Sequence, residues 1–277
     1  NLANNEALYP GETTIRLAPS SVYVIPPPAP DCCYPYSPVA LPYITTPVAI
    51  EGSNTTLLGT ASDFEYRLLL ADWNGSLSIS GLNLTHAYGG AVSGLGPLTI
   101  ENSVFEGNIV TGSGSAVYSA RHTIIRNSRF TNNSFRGLFG RLAWGSGVNA
   151  DGILEISGTT FERNTGERGG AIFFCGTSAT VSNSIFTENT GNAISACGNM
   201  SVSGSTFARN DLGIEQYGGR LELDNSQIQY STRGAVSIWS IATGHISNSI
   251  ISYNSSMNGA GVYYEAQGNL LIENTVL

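Results

Sequence analysis

Lysine is absent from these 277 residues, so all 12 basic side chains are arginine, and charged residues make up only 12% of the chain. Without lysine, a Gly-x-x-x-x-Gly-Lys phosphate loop is excluded, and so is a lysyl general base. Against 20 Asp and Glu the net charge is −8. That argues against a nucleic-acid partner, which would call for a basic face, and disfavours an anionic membrane surface. No run of about 20 apolar residues exists, so no direct membrane span is expected. No segment sustains a 3.6-residue apolar stripe, which leaves little room for helices. Three His and four Cys show no metal-ligand spacing, and neither a metal nor a cofactor is expected.

What the chain does have is repetition. Phe-x-x-Asn recurs at Phe105, Phe130, Phe161, Phe186 and Phe207. With other apolar residues admitted, the anchor series runs Leu84, Phe105, Phe130, Phe161, Phe186, Phe207, Ile228, Ile251 and Leu277. The period is about 24 residues, which marks a solenoid. Five residues before each anchor stands an apolar column from Ile79 to Ile272. Three before is always Gly or Asn, the types that most readily take a positive φ, so a corner is predicted there. Two before is Ser or Thr from Ser103 onward. Short alternating stretches such as Leu98-Thr99-Ile100 and Leu221-Glu222-Leu223 read as strands.

Stacked coils place equivalent residues above one another at roughly 4.8 Å, which is why whole columns share one character. A single coil cannot bury its apolar residues, so stability must come from the stack. The predicted fold is all-β: a single-stranded right-handed parallel β-helix of about nine or more coils, with handedness expected from parallel connections. Residues 1–65 form an irregular N-terminal cap with the Pro-rich excursion Pro26 to Pro35, and 66–277 carry the repeats. Thr14-Ile15-Arg16-Leu17 and Val48-Ala49-Ile50-Glu51-Gly52 are expected to be strands of early coils. Gly137 to Gly152 lengthens one repeat and brings in Arg141 and Trp144, a candidate binding loop.

Phe-x-x-Asn together with Gly89-Gly90-Ala91-Val92 and Gly169-Gly170-Ala171-Ile172 resembles the repeats of chlamydial polymorphic outer-membrane proteins and of other bacterial surface proteins with β-helical passengers. The resemblance covers nearly the whole chain. It implies a right-handed β-helix at a cell surface, working in adhesion or as structural material.

Cys175 and Cys197 align without a gap in neighbouring coils, at a Cα separation of about 5 Å that suits a disulfide. Reduced stacked thiols are the alternative. Adjacent Cys32 and Cys33 leave a vicinal bond, an intermolecular bond and free thiols all open. Arg163, Glu188 and Arg209 stack two residues after their anchors, and Glu101 and Arg126 stack four before theirs; both read as exposed ladders that support register. Sequons at Asn54, Asn74, Asn83, Asn132, Asn199 and Asn254 are candidate glycosylation sites on turns of a secreted or surface protein. Tyr217, Tyr230, Trp239, Tyr253, Tyr263 and Tyr264 form a candidate contact strip.

The leading expectation is a non-enzymatic extracellular rod, structural or adhesive. Asn1 to Asn5 lack the pattern of a signal peptide, so an exported form is expected to have lost its signal. Leu277 falls on an anchor, so either the chain is a fragment or another surface completes the last coil. Asn269, Leu271 and Leu277 would then form an edge for end-to-end self-association into a filament. Other surface proteins or glycans are the remaining partners. The alternatives are a carbohydrate-binding surface module and a polysaccharide lyase or glycoside hydrolase of the β-helix type, with Asp151 and Glu155 as the enzyme's best carboxylate cluster. Only six Asp exist, in no shared column, and no catalytic constellation is visible.

Overall fold

A computed structural model describes residues 11–28, 38–60, 65–110, 116–135, 145–166 and 168–277. Among them every strand pairing is parallel and no helix occurs. The chain winds as a right-handed parallel β-helix, as the repeat predicts. The pairing begins early: Thr13–Arg16 lies beside the long strand Pro47–Gly59, which pairs in turn with Ser76–Thr85.

Each regular coil contributes two strands to a wide sheet and one to a nine-stranded sheet. In the third regular coil, for example, Thr123–Arg126 and Arg129–Thr131 belong to the wide sheet. Between two such strands the chain turns at the column of Gly and Asn. Asn102, Asn127, Asn183, Asn225, Asn248 and Asn274 all take φ between 44° and 49° there. Gly81, Gly158 and Gly204 fill the remaining corners at φ 55° to 67°. The side chain of Asn is short enough to tolerate this left-handed conformation, which costs most other residues about 1 kcal/mol or more.

Register is one residue per column, coil after coil. Ile79, Ile100, Ile125, Ile156, Val181, Val202, Leu223, Ile246 and Ile272 are direct neighbours along the axis. Phe105, Phe130, Phe161, Phe186 and Phe207 stack face to face with ring centroids 4.6–5.0 Å apart, all fully buried. This column, together with the Ile and Val residues of the nine-stranded sheet, fills the interior. Burying each such side chain contributes about 1.5–3 kcal/mol.

Two polar columns close the corners. The hydroxyl of Ser128 accepts the backbone N–H of Ser103 on the coil before and donates to the carbonyl of Arg126. The same pair of bonds recurs at Thr159, Ser184, Ser205, Ser226 and Ser249. Three residues after the anchor runs a buried asparagine column. Asn133 Oδ1 accepts both the backbone N–H and the Nδ2 of Asn108, at 3.1 and 2.9 Å, while its own Nδ2 reaches Asn164 Oδ1 and Phe105 O. The bends at Asn108, Asn133, Asn164 and Asn189 thereby satisfy backbone N–H groups that the corner takes out of the sheet.

Candidate functional site

The outer face of the nine-stranded sheet carries two columns of side chains. The first reads Ser93, Tyr118, Asn149, Phe173, Ser195, Glu215, Ser237 and Tyr263. Two residues further on, the second reads Asp151, Cys175, Cys197, Tyr217, Trp239 and Glu265 over six successive coils. The alternation of the strand sends both columns outward while Ile172, Ile194, Ile214 and Val236 point to the core.

Along this face and its adjoining corner runs a depression made of two clefts that share Arg233 as a lining residue. A cleft of about 650 Å³ is lined by Phe135, Thr165, Thr190, Asp211 and Arg233. Arg233 also borders a second cleft of about 360 Å³, whose walls include Glu215, Ser237, Trp239, Met257, Asn258 and Tyr263. From Phe135 to Tyr263 the depression crosses five coil steps, or roughly 24 Å along the rod. Trp239 and Tyr263 form an aromatic wall, their ring centroids 4.8 Å apart and tilted by 51°.

The carboxylates that line the groove are already held by protein donors. Glu215 accepts from Asn192 Nδ2 and from Ser195 Oγ, the latter at 3.1 Å. Asp211 accepts the backbone N–H of Gly191 at 2.9 Å. Beside Glu215, burial and a hydrogen bond to that carboxylate push the Tyr217 phenol up to about 12, with Arg168 and Arg233 pulling weakly the other way. The Arg168 guanidinium lies over the Tyr217 ring at 5.3 Å. Further along the sheet, Tyr118 donates to Asp151 Oδ2 at 2.9 Å. Burial first, then that hydrogen bond, pushes Tyr118 up to about 12 as well. Arg67 lies 6.0 Å from the Tyr118 ring centroid, and Arg121 lies 5.5 Å from that of Trp73. Both tyrosines are thus kept protonated at neutral pH, as donors and stacking surfaces rather than bases.

Cys175 and Cys197 are joined, with Cα atoms 4.7 Å apart, in the outward column between Asp151 and Tyr217. Cys32, Cys33, Arg141 and Trp144 lie outside the described residues. The two carboxylates of the expected cluster part company: Asp151 binds Tyr118, whereas Glu155 binds His122 Nε2 at 2.8 Å on the wide sheet. The charge ladder runs as expected, from Arg163 to Glu188 at 3.9 Å and on to Arg209 at 3.7 Å, with Arg126 and Glu101 at 3.0 Å. The ion pairs of Arg16, Arg126, Arg129, Arg163, Arg209 and Arg220 with carboxylates lie on the wide sheet or its corners.

Of the sequons, Asn54, Asn74, Asn132 and Asn199 are exposed. Asn83 is half-buried, and its Nδ2 donates to Asn54 Oδ1 at 3.1 Å. Asn254 belongs to the asparagine column, and its Nδ2 donates to Ile228 O at 2.9 Å. A glycan there would break that rung. Asn269, Leu271 and Leu277 are exposed in the last coil, Leu271 by 50% and Leu277 by 65%.

Among the aromatics, Tyr230 and Tyr253 stack at 5.2 Å, both at positive φ on an exposed corner. Tyr264 instead packs against the core. Composition alone did not reveal Glu215 or Arg233. Glu215 shares its column with Ser, Phe and Tyr, so only the fold shows that it opens onto the groove.

The family model described as the right-handed β-helix region matches residues 69–212. No curated protein matches the chain. Among solved structures, the A-module of the Azotobacter vinelandii mannuronan C-5 epimerase AlgE6 is similar in fold, at 13% identity and a TM-score of 0.47. That match covers 96% of this chain and 91% of the module.

Proposed function

This chain belongs to the right-handed β-helix family, and we propose on that footing that it is a non-enzymatic, extracellular adhesive rod that holds a linear glycan along the groove from Phe135 to Tyr263. The observation that carries this reading is the groove's composition. It pairs an aromatic wall, Trp239 with Tyr263, with polar groups, Glu215 and Ser237 on the sheet and Arg233 on the bend before Val236–Ser240. Aromatic rings cover the apolar faces of sugar rings, and a few fixed polar groups set orientation. The depression follows the rod axis, so a polymer laid in it can contact several coils at once. With Arg233 and the carboxylates of Asp211 and Glu215 both present, the groove has no single sign of charge that would demand a charged chain.

Two features speak for binding over turnover. The groove carboxylates are engaged by backbone and side-chain donors, and Asp151 and Glu215 stand three coils apart in adjacent columns, roughly 14 Å by strand spacing. Hydrolysis by paired carboxyls needs about 5–9.5 Å. The inter-coil disulfide fits an oxidising compartment, outside the cytosol.

The runner-up is a polysaccharide-active enzyme, favoured by the Tyr118–Asp151 pair beside Arg67. One experiment separates the two. The protein is titrated against a panel of neutral and acidic polysaccharides by calorimetry, and the mixtures are assayed for reducing or unsaturated ends. Binding without new ends, weakened about tenfold or more by Trp239→Ala as expected for a stacking anchor, supports the rod. New ends that vanish with Asp151→Ala overturn it in favour of the enzyme, and absence of binding across the panel overturns both.

A further inference from the structure

The chain contains two Asn-Gly steps, Asn74-Gly75 and Asn258-Gly259, and the fold treats them in opposite ways. At the first, Asp72 Oδ1 accepts the backbone N–H of both Asn74 and Gly75 at 2.9 Å. Gly75 N–H also lies 3.2 Å from Asp72 O, and the residue is buried against the backbone of Ile44. Its nitrogen is therefore held by two acceptors in a packed turn. At the second, Asn258 and Gly259 are both exposed. Among the described residues neither the Asn258 side chain nor the Gly259 N–H makes a hydrogen bond; only the backbone N–H of Asn258 does, to Ser256 Oγ at 3.2 Å. Gly259 has φ +123° with no atom nearer than 3.3 Å to where a Cβ would stand.

We propose that Asn258 is a self-modifying site, whose spontaneous deamidation places a new carboxylate on the wall of the cleft that Glu215, Arg233, Trp239 and Tyr263 share with it. The Gly259 backbone nitrogen attacks Asn258 Cγ and forms a new C–N bond. The Cγ–Nδ2 bond breaks, and the side-chain amide leaves as ammonia, carrying the proton that Gly259 gives up. Water then adds to one carbonyl of the resulting succinimide and breaks one of its two C–N bonds, leaving aspartate or isoaspartate at position 258. Nothing is oxidised, and water is the only co-reactant. Glycine at the following position is what lets the attack occur, because no Cβ blocks the nitrogen and its backbone moves freely.

The many Asn-Ser corners do not compete. The nitrogen that would attack is tied into the hydroxyl column, as with Ser103 N to Ser128 Oγ and Ser184 N to Ser205 Oγ, both at 3.2 Å. The site thus follows from the fold as well as the dipeptide. Asn258 lines the smaller cleft, so the reaction changes the charge of that surface by one unit without any enzyme.

The test is peptide mapping by mass spectrometry after incubating the purified protein in mildly alkaline buffer. Conversion at Asn258 is expected to run at least roughly tenfold faster than at Asn74, because reaction at Asn74 requires local opening of the Asp72 turn. Ion exchange should resolve a form more acidic by one charge, in step with conversion at 258. The variant Asp72→Ala should release Asn74 and raise its rate toward that of Asn258. Equal rates at the two sites in the unaltered protein, or an Asp72→Ala variant in which Asn74 stays inert, would overturn the proposal. Neither readout depends on the identity of the groove's ligand.

Discussion

Ser231 stands directly above Asn210 in a column that the neighbouring coils fill with asparagine, and its buried hydroxyl has no hydrogen-bond partner. Below it, Asn189 passes both its backbone N–H and its Nδ2 to Asn210 Oδ1, at 2.9 and 3.0 Å. Above it, Asn254 Oδ1 accepts the Ser231 N–H at 2.9 Å. Serine is too short to give Asn210 the acceptor that Asn108, Asn133, Asn164 and Asn189 have.

Replacing Ser231 with Asn should therefore restore a rung rather than strain the corner, since the coils on either side already house Asn there. The Ser231→Asn variant is expected to be more stable by about 1 kcal/mol, the net worth of a typical added hydrogen bond with an orphan removed. Urea melts read the change, and a lower midpoint would refute the reading of this column. Removing an intact rung with Asn164→Ala should cost more, about 1–3 kcal/mol for each buried group left unpaired.

The stacked phenylalanines make a sharper demand. Phe161 lies between Phe130 and Phe186, with centroids at 4.9 and 5.0 Å and no exposed area. Phe161→Ala should destabilise by about 3–5 kcal/mol, since the sheets above and below hold the coil spacing and cannot collapse into the hole. Phe161→Leu, matching Leu84 elsewhere in the column, should cost much less. A calorimetric melt in which the two variants behave alike would contradict a rigid stack.

Much of this architecture could be read from the chain because stacking turns a period into a column. The Gly and Asn corners, the Ile and Val column and the Cys175–Cys197 alignment each follow from spacing alone. The second left-handed position did not. Arg163, Glu188, Arg209, Tyr230 and Tyr253 all take φ between 51° and 59° two residues after the anchor, yet none belongs to a type that advertises such a bend. Each stands just before the polar rung, which is asparagine after Arg163, Glu188, Arg209 and Tyr253 and Ser231 after Tyr230, so position in the coil rather than local preference goes with the bend. The groove was hidden for a related reason. Glu215, Arg233 and Trp239 sit in columns of mixed character, where function departs from the repeat and periodicity carries no signal.

The disulfide ties coils that the sheets already hold together, so its contribution comes from the unfolded chain. Cys175 and Cys197 close a loop with a sequence separation of 22. Loop-closure entropy for that length gives about 3 kcal/mol. The double variant Cys175→Ala and Cys197→Ala should unfold at a correspondingly lower denaturant concentration while keeping the β-sheet circular dichroism of the parent. Intact mass before and after reduction checks the bond directly: a gain of two hydrogens for each bond reduced is expected, and the double variant should gain one pair fewer than the parent.

Alkaline pH probes the outer face of the nine-stranded sheet. Tyr118 and Tyr217 are both raised to about 12, chiefly by burial and then by hydrogen bonds to Asp151 and Glu215. Unfolded, a tyrosine ionises near 10. A folded-state value above the unfolded one means that the neutral phenol is favoured by folding. That stabilisation is complete below pH of about 10 and is lost as the pH climbs from there toward about 12. Phenolate absorbance during titration should include late steps from Tyr118 and Tyr217, and Tyr118→Phe and Tyr217→Phe should each delete one of them. Asp151→Asn removes the negative charge that the Tyr118 phenolate would face, so it should bring that step to lower pH, while the Tyr217 step stays where it was because Glu215 is untouched. Movement of both steps together in Asp151→Asn would mean that the two tyrosines report a global opening of the rod, and that their neighbouring carboxylates do not set their titration.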